Sequence, residues 1–169
     1  MESFDLYRID LLSLPSGKSE IRYELDGSFF TSKEGTEITG GNVNAEVTVC
    51  SGETFEVTID LHGMITLPCN RCLEDVTMPI DCTERFFVKL GEEKNEEDEL
   101  VIVDKEEGVL NLEWRMYELV VLQIPIIHEH EDGACDQEMV KQLQHHEAGF
   151  QKETKEPDER WSALKKLIE

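Results

Sequence analysis

Two cysteines separated by two residues carry the clearest chemical signal in this chain: Cys69 and Cys72, in Leu67-Pro68-Cys69-Asn70-Arg71-Cys72-Leu73. A C-x-x-C turn lets both sulfurs face one point while the intervening backbone amides donate to them. A closed structural zinc site needs four ligands in a tetrahedron, with thiolate and imidazole favoured. One knuckle supplies two, so a second pair must come from elsewhere. His128, His130 and Cys135 lie together about sixty residues later. The spacing predicts a Cys₃His zinc site from Cys69, Cys72, His130 and Cys135, with His128 as a competing nitrogen donor that sequence alone hardly separates from His130. Two other readings stand beside it. The thiols could be unliganded in a tight turn, or form a redox pair. Redox motifs usually open a helix in a βαβ unit, where the dipole lowers the thiol pKa, whereas this turn follows one β-run and precedes another.

The remaining reactive side chains point to no catalysis. Cys82 falls on an apolar face and reads as a small core residue; Cys50 is an incidental thiol beside a turn. His145-His146 is expected to face solvent, and His62 has no obvious partner. There is no nucleophile elbow, phosphate-binding glycine loop or zinc-protease helix motif. Thirty-eight acids guarantee chance carboxylate pairs. A catalytic zinc usually keeps an open position, and four protein ligands would close it. The chain reads as a non-enzyme.

The elements that must position this knuckle are legible as alternation. Ile21, Tyr23 and Leu25 alternate with charged residues, as do Val43, Ala45, Val47 and Val49 with polar ones, and Phe55, Val57, Ile59 and Leu61 with Thr and acids. Gly40-Gly41 and Ser51-Gly52 separate these runs as turns. After the knuckle, Val76, Met78, Ile80, Cys82, Phe86, Val88 and Leu90 share one face. An acidic stretch from Glu92 to Glu99 reads as a solvated loop, and Leu100 to Val103 as a buried strand. Asn111 is the expected N-cap of a helix from Leu112 to about Gln123, stopped before Pro125. Its apolar residues cover more than one stripe, which predicts a largely buried helix with Met116 in the core. Gln137 to Glu147 reads as a polar helix. The expected class is α+β: a mainly antiparallel sheet, meander or partial barrel, with one buried helix, a zinc knuckle and a helical C-terminal tail. Residues 1–147 form one domain. Residues 148–169 form a linker and a short amphipathic helix, whose Arg160, Trp161, Leu164 and Ile168 could dock on a partner.

Composition sets limits on partners. The chain has 169 residues, enough to bury a core without disulfides. No apolar run nears the roughly 20 residues that span a bilayer, and the acid-containing N-terminus does not read as a signal peptide. Five cysteines, an odd count, point to reduced thiols in a cytoplasm. Acids outnumber bases 38 to 16, a formal charge of −22. That field repels nucleic acid, whose binders neutralise phosphates, and draws in basic proteins.

The order of these pieces resembles the YceD-like family, the large ribosomal RNA subunit accumulation proteins. The resemblance rests on the knuckle, the helix ending in Leu122-Gln123-Ile124-Pro125, His130 to Cys135, and the tail Asp158-Glu159-Arg160-Trp161-Ser162-Ala163-Leu164. It implies a metal site at the knuckle and the later Cys/His pair, and it favours His130 over His128, because many members have a cysteine where His130 stands. It also implies a role in accumulation of large-subunit ribosomal RNA, with association to nucleic acid allowed. Composition favours a different partner, a basic ribosomal or assembly protein. The alternative is a zinc-dependent RNA-binding module using Arg71, Arg85 and the basic tail.

Overall fold

The structure is a computed structural model, and it describes residues 6–92, 95–96 and 100–148. The chain divides into two compact units, Met1–His130 and Glu131–Glu169.

The first unit is built on a six-stranded open sheet of order β2-β3-β4-β5-β7-β6. Its strands are β2 (Lys18–Asp26), β3 (Gly40–Cys50), β4 (Phe55–Pro68), β5 (Asp75–Gly91), β6 (Asn95–Glu96) and β7 (Leu100–Asp104). Strands β2 to β5 form the expected antiparallel meander: short turns join β3 to β4 and β4 to β5, while a longer connection carrying a short helix joins β2 to β3. The sheet is nonetheless mixed and not a barrel, since β7 runs parallel to β5. The acidic stretch after Gly91 is also more than a loop, as β6 within it pairs antiparallel with β7. A second, two-stranded sheet joins β1 (Arg8–Asp10) to β8 (Val109–Asn111).

Alternation puts one face of the large sheet in the core. Register aligns Ile21, Val47 and Ile59 in one row, and Tyr23, Ala45, Leu61 and Cys82 in the next. Cys82 is half-buried against the core, as a small apolar residue would be. Gly63 occupies a core-face position of β4 because nothing larger fits. A Cβ there would lie 2.2 Å from the Asn42 carbonyl oxygen and 2.6 Å from Val43 Cα. Cys50 ends β3, half-buried.

Two helices complete this unit. Helix α1 (Gly27–Thr31) was not signalled by periodicity, being too short. The Asp26 carboxylate caps it by accepting from the Ser28 and Phe29 amides, and it buries Phe29 and Phe30. Helix α2 (Glu113–Leu122) begins where the Asn111 side chain accepts from the Glu113 amide, although Leu112 occupies the cap position. The expectation of a largely buried helix is corrected. Leu112, Met116 and Val120 form one buried stripe, while Trp114 is 63% and Leu122 72% exposed. Tyr117 and Leu119 flank this stripe, partly buried against the core, and polar contacts fix the start of the helix beside them. Arg115 makes a bidentate pair with Glu84 of β5, at 2.8 and 3.0 Å, and its guanidinium lies 4.0 Å over the Phe86 ring. Glu113, itself buried, pairs with Lys33.

In the second unit, the described element is helix α3 (Gln137–Ala148). Asp136 caps it, its carboxylate accepting from the Met139 amide at 2.7 Å. His145 and His146 are exposed on α3, as expected.

Candidate metal centre

The alternation that builds β4 also delivers the first thiol. Val57, Ile59, Leu61, Ile65 and Leu67 point into the core, and Cys69 continues that phase just past the strand end, fully buried. The chain then turns within six residues and pairs Asp75 back with Pro68. Three bonds close the turn. The Cys69 amide donates to the Glu74 carbonyl at 2.9 Å, the Leu73 amide to the Cys69 carbonyl at 3.0 Å, and the Arg71 amide to the Cys69 sulfur at 3.4 Å. Leu73 takes φ +65° to complete it, an uncommon conformation for a residue with a Cβ.

Asn70 ties this turn to the segment that carries the histidines. Its amide donates to the His128 carbonyl at 2.9 Å, and its side-chain oxygen accepts from the His128 amide at 2.7 Å. That clamp sets His130 two residues later against the knuckle. One ring nitrogen of His130, Nε2, lies 3.0 Å from the Asp75 carbonyl. A carbonyl can only accept, so Nε2 carries the proton and Nδ1 presents a lone pair. Nδ1 lies 3.4 Å from the Cys72 sulfur. Holding one ring nitrogen by a backbone carbonyl is how metal-ligating histidines are oriented.

The ligand atoms of Cys69, Cys72, His130 and Cys135 all lie within 4.8 Å of one another. The three cysteines are buried and His130 is partly exposed. Cys135 follows a turn in which the Ala134 amide donates to the Glu131 carbonyl, with Gly133 at φ +83°. Three thiols and one imidazole are a donor set that can hold a metal ion. Electrostatics agree. Burial pushes the Cys69 thiol up, but hydrogen bonds from the Cys72, Arg71 and His130 backbone amides and from the Cys72 thiol outweigh it and bring the pKa down to about 6. His130 is raised, chiefly by its hydrogen bond with Cys69 and by that to the Asp75 carbonyl.

The other sequence expectations divide. His128 is not part of this group. It is buried, and its Nδ1 lies 3.2 Å from the Pro125 carbonyl, to which it must donate. His62, expected to lack a partner, pairs on the exposed face with Asp81 of β5 at 3.1 Å. Arg85 is bound to Glu56 at 3.2 Å. Arg160, Trp161, Leu164 and Ile168, with the amphipathic tail, lie outside the described residues. Sequence reasoning missed Asn70 and the Asp75 carbonyl as positioning groups. Asn70 sits inside the motif, but a turn asparagine alone does not reveal its partner. The Asp75 contact uses backbone and has no residue signature.

Comparison with known proteins adds one match. No curated protein and no solved structure is significantly similar to this chain. The family model described as large ribosomal RNA subunit accumulation protein YceD matches residues 57–168, from the middle of the sheet through the knuckle and the Cys/His pair into the tail. The match takes in all four clustered donors and well over half of the sequence, and so the chain belongs to the YceD family of large ribosomal RNA subunit accumulation proteins.

Proposed function

We propose that this protein is a cytoplasmic, non-enzymatic factor in large-subunit assembly. It supports ribosomal RNA accumulation by holding a basic ribosomal or assembly protein, and its Cys₃His group binds one structural zinc ion. The family match over residues 57–168 carries the first half of this reading. Charge supports the second. Against a net charge of −22, many of the described cations are already matched with acids: Lys18 with Glu20, Arg22 with Glu46, Arg85 with Glu56, and Lys105 with Glu92. Little free positive charge remains in these strands to meet phosphates, which is what direct RNA binding demands. Four protein donors leave no ready position for a reacting water, so the zinc would cross-link the β4–β5 turn to the segment after α2. No helix among the described residues is long and apolar enough to cross a membrane.

The test is genetic and biochemical. Removing the gene should lower mature large-subunit ribosomal RNA, and a tagged chain should retain large-subunit proteins in a salt-sensitive way. Normal RNA levels in the deletion strain would overturn the assembly role. Protein purified without chelator should hold about one zinc per chain, and metal-free protein with unchanged melting after Cys69→Ser would remove the zinc.

A further inference from the structure

The outward side of α2 leads into a cavity that the metal centre does not use. The Trp114 and Tyr117 rings meet at a tilt of 44° with centroids 5.4 Å apart, and Val121 continues their stripe one turn on. Beyond the helix end, a cavity of about 320 Å³ is lined by Ile38, Tyr117, Val121, Ile124, Ile126 and His128. Ile126 is 97% exposed at its mouth, and Leu122 and Ile127 stand in solvent beside it. Apolar residues contiguous over two turns and a following loop are unusual on a free surface and mark interaction sites. Aromatic side chains beside a pocket are the usual energetic centre of such a site.

A second observation points to a ligand. His128 is about 95% buried in the lining, and its Nδ1 proton is given to the Pro125 carbonyl. Its Nε2 is therefore an acceptor, buried and without a hydrogen-bond partner among the described residues. Leaving such an acceptor unmade is costly, and because Nε2 itself exposes almost no surface, a donor entering the cavity satisfies it only once the lining side chains shift. The rim supplies the charge. Glu37 lines the cavity, Glu34 is exposed three residues before it, and Glu118 lies one turn before Val121 on α2. Lys33, two residues before Gly35 of the lining, is held by Glu113.

We propose that this groove binds a basic segment of a large-subunit ribosomal protein, which places one bulky apolar side chain in the cavity, offers a hydrogen-bond donor to His128 Nε2, and sets its lysines or arginines against Glu34, Glu37 and Glu118. The inference rests on the basic-partner reading above and names its surface. Segments of that kind are made to lie on RNA phosphates. Before assembly, an acidic groove with an apolar floor covers both of their features.

The experiment uses the full chain with a benzophenone amino acid in place of Ile126, mixed with proteins extracted from purified large ribosomal subunits. Irradiation should cross-link a basic peptide at a bulky apolar residue. Ile126→Asp should weaken binding of the captured protein at least tenfold, with an unchanged urea midpoint because its side chain is 97% exposed. Leu12→Asp, at an exposed apolar site elsewhere, should leave binding intact. Cross-links confined to the chain's own Trp161 segment, or to a second copy, would overturn the proposal. If the unaltered chain binds these proteins and Ile126→Asp binds them equally, this surface is wrong while the partner reading stands. If the unaltered chain binds none of them at low salt, both fall.

Discussion

Replacing Asn70 with alanine tests whether the knuckle is positioned by the clamp on His128. The substitution keeps the bond from its own amide to the His128 carbonyl and deletes the 2.7 Å bond to the His128 amide. That amide belongs to a buried residue, so its N–H is left without an acceptor, a cost of about 1–3 kcal/mol. Where the cost appears depends on what the segment does without metal. If the 128–130 segment stays docked in metal-free protein, Asn70→Ala lowers the unfolding free energy and leaves metal affinity nearly unchanged. If it undocks, the cost falls on the metal-bound state alone, and affinity drops about ten- to a hundredfold, the range expected for outer-shell partners of metal ligands. The assays are urea unfolding of metal-free protein and zinc competition against a chromophoric chelator. Asn70→Asp retains an acceptor oxygen and should recover most of the loss. Unchanged stability together with unchanged zinc affinity in Asn70→Ala would refute the argument, because the lost bond would then have no consequence in either state.

Three further outcomes follow from other contacts. In metal-free protein Cys69 should titrate near pH 6, seen as thiolate absorbance absent from Cys69→Ser. Its folded pKa lies below the ordinary thiol value of 9.0, so the unfolded chain binds more protons between these values. The stability it contributes is therefore complete above pH 9.0 and fades as pH falls toward about 6. Arg115→Ala should cost about 2 kcal/mol in urea unfolding, since it strips a charge-assisted pair from the partly buried Glu84; Arg115→Lys should recover only part, because one ammonium cannot make both bonds. On α2, Met116→Ala should cost about 2–5 kcal/mol and Trp114→Ala under about 1 kcal/mol, so comparable losses at the two positions would contradict the one-sided burial of the helix.

Much of the fold can be read without coordinates where a residue's neighbours along the chain dictate its environment. Val43 to Val49 and Val57 to Leu61 must form strands with one wet face, because alternation leaves no other way to bury them together. The same phase carries Cys69 inward. The narrow burial of α2 was not legible, because Trp114 and Leu122 are apolar by type. Only the docking of Arg115 on Glu84 and Phe86 shows which side faces the sheet. Helix α1 was missed for a related reason: five residues offer no period, and Asp26 as a cap is one acid among thirty-eight.

The sequence by itself determined the donor chemistry, three thiols and an imidazole, and the net charge of −22. It could not choose between His128 and His130 by spacing, since the two stand only two residues apart. Tertiary structure brings His130, not His128, to the sulfurs, through backbone groups and the Asn70 side chain. Asn70 grips His128 by its main chain while the Pro125 carbonyl turns its ring away from the sulfurs, and the Asp75 carbonyl turns the ring of His130 toward them. Apart from the Asn70 side-chain oxygen, these are amides and carbonyls that residues carry alike, so their positions leave no trace in side-chain identity until the strands have paired.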